Sequence, residues 1–220
     1  MRAHSLPPFP RRVIVFAREK WLIILLTACA TTHPANPTLY SWPAGVSGET
    51  EVVYYDVHGR TAAELRADMR RFGPKSESGT IYAGETHTPL SWEYRTRSDG
   101  SMCTIRDIRM HASAKITLPG WTPPRDTVPG LWADWKQSMA GLELHEIGHK
   151  DISARYAVLI MRKLKEVNTF CSEVNIEARR VTDTLLVQLR EEQERYDRDT
   201  RHGLTQGSGF PPRRAAPVPS

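Results

Sequence analysis

The sequence has few cysteines: three in 220 residues, Cys29, Cys103 and Cys171. None of them stands in a Cys-x-x-Cys spacing, so the pattern gives no support to a zinc site built on cysteine sulfur. Cys29 ends an apolar leader, which leaves Cys103 and Cys171 as an even pair. In an oxidising compartment a disulfide bond is the default prediction for such a pair, and two zinc-ligating thiolates are the disfavoured alternative.

The chain also lacks a cluster of lysines and arginines interleaved with aromatic residues. Its formal charge is +5, but residues 1–28 contribute +4 of this, from five basic side chains against Glu19. The remaining body carries only +1, and we predict no nucleic-acid partner. A hydrophobic share of 40% and a charged share of 25% are ordinary for a globular domain.

No apolar run approaches the roughly 20 residues that a transmembrane helix requires. The apolar segment 21–26 follows Arg18 and Lys20 and leads into small residues that end at Cys29. A positive start, a short apolar stretch and small residues are the parts of a secretory signal. The ending Leu-Thr-Ala-Cys resembles a bacterial lipobox, which implies that Cys29 is lipidated and becomes the mature N-terminus. A transmembrane anchor is the weaker alternative.

The predicted anchor assigns the protein to the cell envelope, bound to a membrane through lipid. Ala30 follows the cysteine, where an aspartate would indicate inner-membrane retention. By resemblance to bacterial lipoproteins, we expect the outer membrane, with the domain on its periplasmic side. The predicted segments are a signal peptide over 1–28, a flexible tether over 29–49, a folded domain over 50–205 and a disordered tail over 206–220.

The folded domain is predicted to begin with one strand and one helix. Residues 52–57 are β-branched and aromatic, as is typical of a strand. Thr61 and Glu64 have the spacing of a capping box, which predicts the start of a helix. That helix is expected to end at Gly73, immediately before Pro74.

Two extended segments follow, 82–97 and 102–118, separated by a turn at 98–100. Apolar and polar residues roughly alternate in the second segment, with a slip near Asp107. We predict a twisted antiparallel sheet of three or four strands.

Proline is absent between Pro129 and Pro211, and apolar residues in this region recur at intervals of three and four residues. The pattern predicts one helix from Leu131, a break near 168–171 and a second helix over about 173–196. The predicted fold class is α+β. A small antiparallel sheet with one N-terminal helix is followed by two long antiparallel helices in a zincin-like arrangement.

The segment His145-Glu146-Ile147-Gly148-His149 is the motif that carries chemistry. Residues four apart on a helix share one face, so the imidazoles of His145 and His149 can bind one tetrahedral Zn²⁺. Glu146 can reach water at the open metal position and act as general base. Gly148 in mid-helix costs about 1 kcal/mol relative to alanine, so a local contact is expected to offset it. Two surface histidines with a salt-bridging glutamate are the alternative.

The motif does not fix the third metal ligand. A metzincin would need histidine at position 155, where this chain has Arg155, so that class is excluded. A thermolysin-like site would take a later glutamate, which makes Glu166, Glu173 and Glu177 candidates. They lie near the turn of the helical hairpin, whereas His149 lies about 22 residues, or roughly 33 Å, before it. We therefore disfavour all three.

The second helix returns to the level of the zinc at about residues 192–197. His202, just beyond, is the preferred third ligand. Asp197 is the alternative ligand, and an unengaged tail histidine is the alternative interpretation of His202. Tyr196 is a weaker candidate for donating a hydrogen bond to an oxyanion during the reaction.

Several segments together resemble a bacterial family of predicted secreted zinc-dependent proteases, long known as a domain of unknown function. The resemblance covers about residues 50–207. It is carried by Tyr55 to Thr61 with Glu64, Leu65, Gly73 and Pro74, Cys103, Leu118-Pro119, His145 to His149 with Ala154, Cys171, and Tyr196-Asp197 with Thr200, His202 and Gly203. It implies a zinc peptidase with ligands His145 and His149 and catalytic Glu146.

The sequence therefore predicts a zinc metallopeptidase that hydrolyses a protein or peptide substrate in the cell envelope. One alternative is a non-catalytic envelope lipoprotein whose zinc is structural, with four closed ligands. Another is a peptidoglycan amidase, because zinc-activated water can hydrolyse amide bonds of any kind.

Overall fold

The computed structural model describes residues 39–76 and 78–212 and has a mixed α+β fold with a small sheet and three helices. The elements are β1 (Val46–Val57), α1 (Ala62–Phe72), β2 (Glu85–His87), β3 (Leu90–Asp99), β4 (Met102–Trp121), α2 (Pro129–Lys165), β5 (Asn168–Phe170) and α3 (Val174–Thr200), then a 3₁₀ turn at Leu204–Gln206. The predicted signal peptide, Cys29 and the residues after 212 lie outside the described ranges. Within those ranges, no helix combines the length and the apolar character needed to span a membrane.

The start of α1 is fixed by the predicted capping box. The Thr61 side chain accepts a hydrogen bond from the Glu64 N–H at 3.2 Å, and the Glu64 carboxylate accepts one from the Thr61 N–H at 3.2 Å. These two bonds satisfy backbone donors that a helix start otherwise leaves unpaired. The helix ends before Gly73, as expected, and buries Leu65 and Met69 against the sheet and α2.

β4 is the central strand of the sheet and pairs with each of the other four. β2, β3 and β5 are antiparallel to it, whereas β1 is parallel, with Val46 opposite Met110 and Val57 opposite Trp121. The prediction of an antiparallel sheet is therefore wrong for β1. Parallel neighbours require a long crossover, and the chain through α1, β2 and β3 provides one.

The β3–β4 hairpin contains an irregularity where the alternation slips. The register shifts between Glu93 and Arg95 on β3, which lie opposite Arg109 and Arg106 on β4. Asp107 lies inside this stretch at φ 51°, in a left-handed region that non-glycine residues seldom occupy. The predicted slip is thus a β-bulge with one extra residue on β4.

Cys103 near the start of β4 and Cys171 after β5 form the predicted disulfide, which ties the sheet to the turn between the two long helices. β5 occupies that turn, where the sequence predicts only a break. It pairs with the start of β4, so that Phe170 lies opposite Met102. A three-residue strand is too short to reveal itself through alternation.

α2 and α3 run in opposite directions, because later residues of α3 meet earlier residues of α2. Gln193 bonds to His149, and Asp197 further along α3 reaches His145 further back on α2. Their apolar faces form the main core with the sheet. Its most buried members include Ile105, Met110, Ile152, Ala157, Ile160 and Leu164.

The folded domain extends beyond its predicted limits of 50 and 205. The buried ammonium group of Lys150 on α2 donates to the carbonyl oxygens of Leu39 and Ser41, both at 2.9 Å. At the other end, the Ser138 hydroxyl donates to the carbonyl oxygen of Gly209 at 2.7 Å. These buried partners fix segments whose composition resembles a tether and a tail, so the described parts of 29–49 and 206–220 belong to the domain.

Candidate metal centre

α2 presents the three polar residues of its motif to a cleft of about 1090 Å³. Residues 82–88 line one side of the cleft, and the C-terminal half of α3 with the turn after it lines the other. His145 and Glu146 are only 4% and 3% exposed. The Asp197 side chain, which approaches from α3, is 30% exposed. The polar group therefore lies at the base of the cleft, within reach of solvent from one side.

Three potential donor atoms form a nearly equilateral triangle. The Nε2 atoms of His145 and His149 are 3.2 Å apart, and each is 3.2 Å from Oδ1 of Asp197. Ligands about 2.0–2.1 Å from a tetrahedral zinc ion lie about 3.3 Å from each other. In the described part of the chain, this is the group of histidine and acidic side chains that could hold a metal ion.

The hydrogen bonds of His149 determine which of its nitrogens faces the triangle. Its Nδ1 lies 2.5 Å from Oε1 of Gln193, while the Gln193 amide nitrogen donates to the His149 carbonyl and the Ser153 hydroxyl, both at 3.0 Å. The amide orientation is thereby set, and its oxygen can only accept. In neutral His149 the proton therefore resides on Nδ1, and the Nε2 lone pair points at the other two donors.

His145 is oriented in the same way from the other side. Its Nδ1 lies 3.0 Å from Oε1 of Gln206, whose amide nitrogen donates to the Tyr196 hydroxyl at 3.0 Å. Neutral His145 thus also carries its proton on Nδ1. Two lone pairs and a carboxylate oxygen converge without a proton between them, which is the arrangement that a cation stabilises.

Asp197 remains ionised in this setting. Burial alone would raise its pKa. When no metal is bound and the imidazoles of His145 and His149 are protonated on both nitrogens, the hydrogen bonds that they donate through Nε2 outweigh that effect and hold the pKa of Asp197 well below its usual range. The carboxylate is therefore available as an anionic ligand throughout the neutral pH range.

Glu146 lies beside the triangle and is held by β2. The Thr86 hydroxyl donates to its Oε2 at 2.8 Å. Burial raises the pKa of Glu146, and this hydrogen bond offsets only part of the increase. The other oxygen, Oε1, lies against the backbone of Gly84, where an added Cβ would be only 2.7 Å away. Glycine at position 84 therefore makes room for the carboxylate.

Gly148 has the local contact that its position in mid-helix predicted. A Cβ there would overlap the hydroxyl group of Tyr196, so the glycine lets α3 approach α2 closely. The Tyr196 ring stacks on His145 at 5.0 Å, and its hydroxyl donates to the His145 carbonyl oxygen at 3.2 Å. Both the ring and the hydroxyl group of Tyr196 therefore contact α2. These contacts argue against its predicted role as a hydrogen-bond donor to an oxyanion.

His202 does not join the triangle, and the structure favours the predicted alternative, Asp197, as third donor. The His202 ring is 59% exposed, and its Nδ1 lies 3.3 Å from Oδ1 of Asp197. The reason is geometric. Asp197 lies on the last full turn of α3, whereas Arg201 and His202 adopt left-handed backbone conformations that turn the chain away.

The disfavoured glutamates have local partners outside the cleft. Glu166 pairs with Lys163, Glu177 pairs with Arg180, and Glu173 accepts a hydrogen bond from Thr169. None of the three glutamates is among the residues that line the cleft, as the estimate from the helical rise predicted.

Sequence reasoning missed the polar residues that support the donors. Gln193 stands four residues before Asp197, a spacing that puts both on one helical face, and this signal could have found it. Thr86 and Gln206 reach the site only through long-range folding and leave no local signal.

Comparison with known families matches residues 52–203 to "Bacterial protein of unknown function (DUF922)". No curated protein and no solved structure matches the chain. The matched range contains the donor triangle, Glu146, both disulfide cysteines and His202. The chain therefore belongs to DUF922, a family of bacterial proteins of unknown function.

Proposed function

We propose that the protein is a zinc-dependent peptidase of the cell envelope. One observation carries the proposal: three side-chain donors converge at the base of an open cleft, with the buried carboxylate of Glu146 beside them. Catalytic zinc sites characteristically use three protein ligands and leave a position open, whereas structural sites use four. The envelope location rests on the predicted lipoprotein leader.

The donor set suits zinc. Two imidazole nitrogens and one carboxylate oxygen are a ligand combination that zinc enzymes use. Zn²⁺, when bound, supplies Lewis acidity that lowers the pKa of a water molecule towards about 7 and polarises a substrate carbonyl.

Glu146 provides the proton transfers. Because Thr86 bonds to Oε2, Oε1 is the oxygen left to accept a proton from the attacking water. The same oxygen then returns the proton to the nitrogen of the departing amine.

A strand edge beside the site supports a peptide as substrate. β2 pairs with β4 along one edge, and no other strand among the described residues pairs with it. Residues 82–88 line the cleft next to Glu146. An unpaired strand edge offers backbone donors and acceptors to an extended peptide.

The proposal is tested with the full chain, purified and reconstituted with zinc. We expect about one zinc ion per chain and cleavage of an unstructured protein or a mixed peptide library. Activity should be lost with a chelator and restored by zinc. Mass spectrometry of the products identifies the cleaved bonds.

Each alternative has its own outcome. A folded chain that binds no zinc contradicts the proposal. Zinc binding without hydrolysis of proteins, peptides or purified peptidoglycan supports the structural-zinc alternative. Release of soluble fragments from peptidoglycan alone supports the amidase.

Replacing Gly84 by alanine is expected to reduce hydrolysis about 10²-fold, because the added Cβ displaces the Glu146 carboxylate and misplaced catalytic groups cost this much. Zinc content should be unchanged, since Gly84 contacts none of the donors. Gly130→Ala is the matched control, because a Cβ at Gly130 meets no atom within 4 Å. Equal rates for both variants would show that the position of Glu146 does not limit the reaction.

A further inference from the structure

The cleft contains charged side chains that the proposed reaction does not use. On the β2 side, Glu85, Thr86 and His87 line the cleft, and Thr86 donates to Glu146. The arginines that line the cleft come from α3 and the turn after it.

Arg190 on α3 and Arg201 at its C-terminal end both line the cleft. Both are exposed, and neither has an ion pair or a side-chain hydrogen bond among the described residues. Three other arginines of α3 differ, because Arg180, Arg195 and Arg198 each pair with a glutamate on the same helix, at Glu177, Glu192 and Glu194. The two guanidinium groups of the cleft thus remain available to a ligand.

These two arginines lie on opposite sides of the metal centre along the helix. Arg190 precedes Asp197 by seven residues, or about 10 Å, and Arg201 follows it by four, or about 6 Å. An extended peptide advances about 3.3 Å per residue. For a peptide that runs parallel to α3, the two distances correspond to about three residues on one side of the cleaved bond and two on the other.

We infer that the cleft selects peptides with carboxylates on both sides of the cleaved bond, about five residues apart. The planar guanidinium fork of arginine matches a carboxylate with two parallel hydrogen bonds, which gives geometric as well as electrostatic selectivity. This inference rests on the proposed peptidase function and names its substrate class: acidic peptides.

The test uses three fluorescent decapeptides that differ at two positions five residues apart, with glutamate, glutamine or lysine at both. Binding is measured to the full-length, zinc-loaded Glu146→Gln variant, which isolates recognition from cleavage. We expect the glutamate peptide to bind about two- to fivefold more tightly per arginine than the glutamine peptide, and the lysine peptide to bind weakest. The preference should shrink in 0.5 M salt, since exposed charges are screened.

Single substitutions assign the two contacts. Arg190→Gln should abolish the preference at one glutamate position, and Arg201→Asn should abolish it at the other. Asparagine is chosen because Arg201 has φ 52° and asparagine tolerates that conformation. Arg198→Gln is the control, since Arg198 lies outside the cleft and pairs with Glu194.

The outcomes separate the inference from the function on which it rests. Equal binding of the three peptides, or a preference that survives both arginine substitutions, overturns the inference even if the wild type hydrolyses peptides. Selective binding that depends on Arg190 and Arg201 supports it, and the wild type should then cleave the glutamate peptide fastest. Selective binding without any cleavage by the wild type leaves an acidic-peptide cleft and contradicts the peptidase.

Discussion

Replacing Glu146 by glutamine is expected to reduce peptide hydrolysis by about 10²- to 10⁴-fold while the zinc content stays at the wild-type level. Glutamine preserves the shape of the side chain and can still accept the Thr86 hydrogen bond through its amide oxygen. It cannot take a proton from water at neutral pH. The loss therefore reports the proton transfer alone, because Glu146 is adjacent to the donor triangle and not part of it.

The measurement is the rate of cleavage of one identified peptide under saturating zinc, with metal content determined on the same samples. Glu143→Gln is the matched control, because Glu143 lies on the same helix, accepts a hydrogen bond from Tyr40 and is absent from the cleft. A Glu146→Gln variant with the wild-type rate would remove Glu146 from the mechanism. A variant that loses its zinc would instead show that this carboxylate supports the metal.

The donors on α2 could be predicted because their geometry is local. A spacing of four residues determines that His145 and His149 share a helical face, whatever the rest of the chain does. The third donor depends on how α3 packs and where it ends. The helical rise gives the level that α3 reaches but not the direction of each side chain. The direction of the side chain decides that Asp197, and not His202, reaches the two histidine donors.

The same distinction explains what could be predicted of the fold. The capping box at Thr61 and the disulfide between Cys103 and Cys171 were recognisable from residue types and spacing. The parallel pairing of β1 with β4 could not be predicted in this way. It depends on long-range contacts, since a strand has the same local sequence pattern in either direction.

The domain boundaries were misplaced for a related reason. Composition around residues 39–49 and after 205 is typical of linkers. A segment is nevertheless ordered when its backbone groups find buried partners. Lys150 supplies them for the first segment and Ser138 for the second, and both lie about 70–110 residues away in the sequence.

Replacing Asp197 by alanine is expected to reduce zinc affinity by more than about 100-fold, the upper range for loss of a residue that only supports a ligand. The substitution removes one corner of the triangle and its negative charge. Asp197→Asn, which keeps the size of the side chain, should also bind zinc more weakly than the wild type. Affinity is measured by competition with a chromophoric chelator, and thermal unfolding checks that each variant folds.

His202→Ala provides the matched comparison. His202 contacts Oδ1 of Asp197 but lies outside the donor triangle, so its loss should reduce zinc affinity by about 10- to 100-fold at most. If His202→Ala loses as much affinity as Asp197→Ala, both residues bind the metal and the site has four protein ligands. Four ligands close the site, which favours a structural zinc ion. The relative losses in these two variants therefore bear directly on whether the protein is an enzyme or a scaffold.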